Sequence, residues 1–128
     1  MRLSVFAVSL SLLLSFAGSA SAATYFVATS GNDANAGTET APFRTITRSA
    51  TVARAGDVVN VRGGVYHEIV KISSKGTAAS PIVFQSYPGE TAVIDGTGSA
   101  ANTNLVQLTG AEHVDFTAGD AVVEVPPR

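Results

Sequence analysis

From Gly56 to Phe116 the chain repeats one short pattern, in which apolar and polar residues alternate over three or four positions. Val59-Asn60-Val61 is echoed at Val83-Phe84-Gln85 and at Val106-Gln107-Leu108, with starts at 59, 83 and 106, so 24 and 23 residues apart. A second series runs between them: Val70-Lys71-Ile72, Val93-Ile94-Asp95 and Val114-Asp115-Phe116, with starts at 70, 93 and 114, so 23 and 21 apart. Two interleaved series with a common period of about 22 residues predict a chain that coils on itself, each coil laying its strands on the last. The expected fold is therefore all-β, a parallel β-solenoid with two strands per coil. Leucine-rich repeats share the period, but the L-x-x-L-x-L-x-x-N pattern is missing. A β-sandwich needs hairpin turns between most neighbouring strands, which one spacing held in two series does not provide.

The first 22 of the 128 residues read as a signal peptide rather than as part of the fold. Arg2 is followed by the apolar stretch Leu3 to Phe16, and Ala20-Ser21-Ala22 supplies the small residues of an export cleavage site. That stretch is shorter than the ~20 residues of a membrane span. The expected mature chain starts at Ala23, secreted or periplasmic, with no membrane association after cleavage. Removal of Arg2 from 8 basic residues leaves 7 against 10 acidic ones, a formal charge of −3. With no Lys/Arg run, nucleic acid is excluded as a partner. Cysteine is absent, which rules out disulfides and thiolate chemistry and leaves packing and ladder hydrogen bonds to hold an exported domain.

Residues 23–55 divide into a first strand, Tyr25 to Ala28, a turn-rich loop from Ser30 to Thr38 that continues through Ala41-Pro42-Phe43, and one helix from Thr45 to Arg54. Thr45 serves as N-cap, and Ile46, Ala50 and Ala53 share a face suited to cover the first coil. Ala55-Gly56 supplies the stop. Residues 56–117 hold the coils, and 118–128 form a divergent tail in which Ala121 to Val125 adds one more strand before Pro126-Pro127 stops the pairing.

Particular motifs carry a family resemblance. Tyr25-Phe26-Val27, Ser30-Gly31-Asn32-Asp33, Gly37-Thr38, Pro42-Phe43 and Thr45-Ile46 come first. Gly56-Asp57-Val58-Val59, Gly64 to Glu68, Pro81 to Phe84, Tyr87-Pro88-Gly89 and Ile94-Asp95-Gly96 follow. Together they resemble the start of the family-nine pectate lyases and, more distantly, the chondroitinase-B and alginate lyases. Mannuronan C5-epimerases and several glycoside hydrolases use the same kind of scaffold. The resemblance covers Thr24 to about Phe116 and implies a secreted right-handed parallel β-helix with a short capping helix. It also implies acidic polysaccharide as partner and catalytic residues in coils beyond those present. The expectation is thus an N-terminal fragment of a polysaccharide lyase-like protein, inactive alone. Alternatives are a non-catalytic glycan-binding or adhesion module, or a fragment of a β-helix glycoside hydrolase, which needs two carboxylates across a cleft.

No catalytic, substrate-binding or metal residue is assigned. Uronate β-elimination needs a cation at the carboxylate, a base for the α proton and a proton donor for the leaving oxygen. In the resembled lyases Ca²⁺ and a Lys or Arg fill these roles, whereas no cofactor is expected here. Alternation turns Lys71 outward as a solvated residue, and Lys75, Arg62 and the scattered Asp and Glu side chains assemble no base and carboxylate cluster. Asn32, Asp33 and Asn35 place three oxygen-bearing side chains within four residues, but an EF-hand register puts Arg44 where its glutamate belongs, so the loop reads as an Asx-rich turn. His67-Glu68 lacks a second histidine, and His113 and Asp115, expected on one face of a strand, lack a third partner. Asp57 is read as closing the turn out of the helix, and Asp95-Gly96 as a strand-end turn. Tyr66 and Tyr87 are expected to pack at corners rather than stack on sugars. Nothing after Phe116 matches the N-terminal helix as a cover, so self-association through an uncapped end is expected.

Overall fold

The computed structural model describes residues 21–100 and 104–117 and the backbone of residues 122–124. The expected h-region and most of the tail lie outside these. Among the described residues nine strands and one helix follow one another: β1 (Thr24–Val27), α1 (Ile46–Val52), β2 (Val58–Val61), β3 (Gly64–Tyr66), β4 (Val70–Ile72), β5 (Ile82–Ser86), β6 (Ala92–Asp95), β7 (Val106–Leu108), β8 (Val114–Thr117) and β9 (Val122–Glu124). Every pairing between them is parallel, in three sheets ordered β1-β2-β5-β8, β3-β6-β9 and β4-β7. A full coil therefore contributes one strand to each sheet, which makes the fold a parallel β-helix.

The solenoid expectation holds, but its two-strand coil does not. Val106–Leu108 stacks on Val70–Ile72 rather than on Val83–Gln85, and Val114–Thr117 joins β5 rather than the series of Val70 and Val93. The missing strand is β3, three residues that begin with glycine and give too little alternation to be seen alone. Coil lengths also differ. Val59 pairs with Phe84 and Phe84 with Phe116, steps of 25 and 32, while Val70 pairs with Val106, a step of 36. The near-equal spacing of the expected series thus joined strands from different sheets. The expected match of Val59 to Val83 is also off by one residue. Such a slip turns every side chain to the other face, and burial decides the register: Ile82 and Phe84 point into the coil and Val83 does not.

The interior is a stack of aliphatic and aromatic rungs. Tyr25, Val59, Phe84 and Phe116 form one row, Val27 stacks on Val61, Ile72, Ile82 and Ile94 fill the space beside them, and the Phe84 and Phe116 rings stack at 5.9 Å. Helix α1 closes the β1 end with Ile46, Ser49 and Ala50 facing inward, the buried Ser49 hydroxyl being satisfied by donation to the Ile46 carbonyl at 2.6 Å. Thr45 caps the helix as expected, its hydroxyl accepting the Arg48 N–H at 3.1 Å. The helix stops two residues before Arg54 because the Arg54 N–H bonds the Asp57 carboxylate, 2.8 Å away, and so leaves the helical ladder.

The loop before the helix is fixed by Phe43. A Cβ on Gly31 would run into the Phe43 carbonyl oxygen, and one on Gly37, whose φ is +81°, would run into the Phe43 ring. The glycines of the Ser30–Thr38 loop are therefore where the backbone wraps a buried ring. Among the described residues no helix is long and apolar enough to cross a membrane.

Candidate functional site

Side chains that alternate out of the four-stranded sheet line up across it. Phe26, Asn60, Gln85 and Thr117 share one register row. Gln85 donates its side-chain amide to the Asn60 carbonyl at 2.9 Å, so the two amides form a short external ladder. One step along the strands, Arg62 lies beside Tyr87, with the guanidinium carbon 4.2 Å from the ring centroid, a cation–π stack. Phe26 tilts against the same ring at 6.3 Å. Arg62 also lines an open polar groove of about 340 Å³, with Thr29, Ser30, Glu39, Thr40 and Glu90 among its other walls.

Electrostatically the groove holds one ion pair and one further carboxylate, Glu39. Arg62 donates to both Glu90 oxygens, at 2.9 and 2.7 Å, and the Gly63 N–H adds a third bond at 2.7 Å. The bond from Arg62, then that from Gly63, holds the Glu90 carboxyl at about 2, well below the usual carboxylate range, and Glu90 in turn keeps Arg62 more firmly protonated than usual. The Tyr87 hydroxyl donates to Glu39 at 3.4 Å. Rings, carboxamides and hydroxyls in this arrangement can stack on a sugar face and bond its hydroxyls. A proton relay is a different matter: Arg62 is neutralised, and Glu90 is too weak a base to take an α proton.

The other sequence candidates are dispersed. Lys71 points outward and exposed from β4, as alternation requires. Lys75 pairs with Glu112 at 2.9 Å on a solvated corner, and the lysine holds the Glu112 carboxyl below its ordinary range. Asp33 spends Oδ1 on the Arg44 and Thr45 N–H groups and Oδ2 on the Thr45 hydroxyl, each at 2.9 Å. Asn32 accepts the Ala34 N–H at 2.8 Å and Asn35 donates to the Pro42 carbonyl at 3.0 Å, so all three carry out the turn. Glu68 reaches across to α1 and accepts the Ile46 and Thr47 N–H groups at 2.8 and 3.1 Å and the Thr47 hydroxyl at 2.9 Å.

His67 lies 3.2 Å from Asp95, whose carboxyl is held low mainly by the Thr97 hydroxyl and N–H. His113 corrects an expectation: it precedes β8 with φ +48°, so it does not share a strand face with Asp115. Tyr66 corrects another, for its ring lies inside the coil rather than at a corner. Its hydroxyl donates to the Arg62 carbonyl at 2.7 Å, and burial pushes its ionisation well above the ordinary tyrosine value. Among the described residues no three His, Cys, Asp or Glu side chains converge on one point. Sequence reading missed Phe26, Asn60 and Gln85 as an external row and Glu39 and Glu90 as groove residues. The step of 25 that carries Val59 to Phe84 also carries Arg62 to Tyr87, and was the available signal.

A family model described as Pel9A-like, right handed beta helix region, matches residues 25–120. The chain belongs to this family. Its coils are accordingly right-handed. Over 71 residues it is 41% identical to an uncharacterized protein, YwoF, of Bacillus subtilis, covering 56% of this chain and 15% of that one. Over 77 residues it is 39% identical to pectate lyase PEL9 of Emericella nidulans, covering 59% and 19%. Among solved structures, a complex of XylC with xylose superposes with a TM-score of 0.55 at 43% identity, covering 57% of this chain and 12% of that one. The chain therefore spans less than a fifth of the length of the curated relatives it matches.

Proposed function

We propose that this Pel9A-like chain is exported and forms the N-terminal coils of a polysaccharide lyase-like β-helix, and that these coils hold an acidic glycan such as pectate without cleaving it. The carrying observation is the external row of Phe26, Asn60 and Gln85, with Tyr87 next to it stacked on the guanidinium of a neutralised Arg62–Glu90 pair. It offers stacking rings and partners for sugar hydroxyls, and its one cation, Arg62, is already paired. The similarity to a pectate lyase supports the glycan class, and the coverage of under a fifth of that relative agrees with chemistry carried by further coils.

Affinity electrophoresis through gels containing polygalacturonate tests the binding, with near-ultraviolet absorbance of unsaturated product as the parallel activity assay. Retardation that Tyr87→Ala and Phe26→Ala abolish, with no product in the presence or absence of Ca²⁺, is the expected result. Unretarded migration would remove the binding role. Sustained product formation lost in Lys71→Ala or Lys75→Ala would give catalysis to these two outward lysines.

A further inference from the structure

Asp57 is the one buried charged residue among the described positions, 5% exposed. Its Oδ2 accepts the Arg54 N–H and its Oδ1 the Ala23 N–H, each at 2.8 Å. Both donors are neutral backbone amides, and among the described residues no Lys, Arg or His side chain pairs with it. A carboxylate in such a place carries a charge that hydrogen bonds alone compensate only in part. Ala23 is also where the chain first locks onto the coil, since its carbonyl accepts the Val58 N–H at 3.0 Å and β1 starts at the next residue. Ser21 and Ala22 just before it are exposed. The inference rests on the export proposed above, for which the small-residue motif Ala20-Ser21-Ala22 puts the expected cleavage at the bond before Ala23.

We propose that Asp57 is the receptor for the new α-amino group released when an export peptidase hydrolyses the Ala22–Ala23 bond. Water adds across that amide, Ala22 leaves as a carboxylate, and the Ala23 nitrogen keeps the electron pair and takes up protons. An α-amine ionises at about 7.7–8.0, so at neutral pH or below it is an ammonium. A neutral N–H···O bond thereby becomes a charge-assisted one between a cation and a buried carboxylate, with no movement of either atom required. Processing would then tighten the seam between β1 and β2 and the turn that ends α1. The precursor, still an amide at Ala23, would fold more loosely until its leader is removed.

The test uses the full gene from Met1 in an exporting bacterium. The natural chain is compared with one carrying Gly-Ser-Gly-Ser inserted after Ala22, so that processing leaves the amine four residues ahead of Ala23. Both are also made with Asp57→Asn, and the natural mature chain is separately acetylated at its amine. Mass spectrometry of the natural product should give a chain starting at Ala23. Insertion and acetylation should each lower the thermal midpoint by roughly 5 °C, a resolvable shift for a domain of about 100 residues. In the Asp57→Asn background the insertion should have almost no effect. If the Asp57→Asn chains do not fold, the acetylated chain decides alone. Equal midpoints for free and acetylated amines would overturn the proposal. So would an insertion effect unchanged by Asp57→Asn, cleavage at another bond, or a processed chain with no transition.

Discussion

At the β1 end of the coil the interior is sealed. Ile46, Ser49 and Ala50 of α1 lie over the first rungs, Phe43 fills the loop beside them, and Val27 is wholly buried. At the β8 end the same rows run out toward solvent. Leu108 sits in register with buried Ile72, and so on the inward face, yet is 59% exposed, while Val114 and Phe116 are only partly covered. One set of residue types thus lives in two environments. The difference teaches that a stacked coil buries its own top face only when another layer lies above it, whatever the apolar content of its strands.

Truncating rings at the two ends breaks that comparison most sharply. Phe84→Ala removes a fully enclosed ring and should cost about 3–5 kcal/mol in urea unfolding, whereas Phe116→Ala should cost about 1–2 kcal/mol because its ring already meets solvent. Equal losses would mean that the β8 end is covered as well as the β1 end. A smaller effect sits in the seal itself. Glu68→Ala strips three donors of their acceptor at the start of α1 and should destabilise the chain by about 1–2 kcal/mol. Hydrogen exchange at the Ile46 and Thr47 amides should speed up while that of the Phe84 amide follows only the global change. Uniform acceleration would make α1 part of one cooperative unit rather than a lid.

The weakest expected effect belongs to the groove. Glu90 ionises at about 2 in the fold against an ordinary value near 4.5, so its depressed value contributes stability above the ordinary range. That contribution falls away as pH drops from about 4.5 through about 2, and the acid limb of the stability curve should flatten in Glu90→Gln. An unchanged acid limb would show that the Arg62 pair adds nothing in solution, as many exposed pairs do.

The fold class was legible because β-branched alternation and a repeated period survive in any reading of Val59 to Phe116. The pairing was not, since β3 is too short to announce itself and the corner between β6 and β7 lengthens one coil enough to imitate another series. The helix was legible from Thr45 and its apolar face, but its end was set by the Asp57 carboxylate, five residues past Val52. The groove stayed hidden for a related reason. Arg62 and Tyr87 were each visible, yet only the register makes them neighbours, and Glu39 arrives from a loop whose path depends on the burial of Phe43.

The unequal coil lengths have one more consequence. Each turn advances by the strand spacing of about 4.8 Å, fixed by backbone hydrogen bonds, while the perimeter of a turn is free to differ. A screw thread behaves the same way when its pitch is held and its outline is cut to any shape. Residues gained or lost at a corner alter the outline and leave the rungs beside it in step. Ancestral tinkering could therefore widen or trim a wall of the Arg62 groove at a bend such as that after Thr29 without re-registering a single strand.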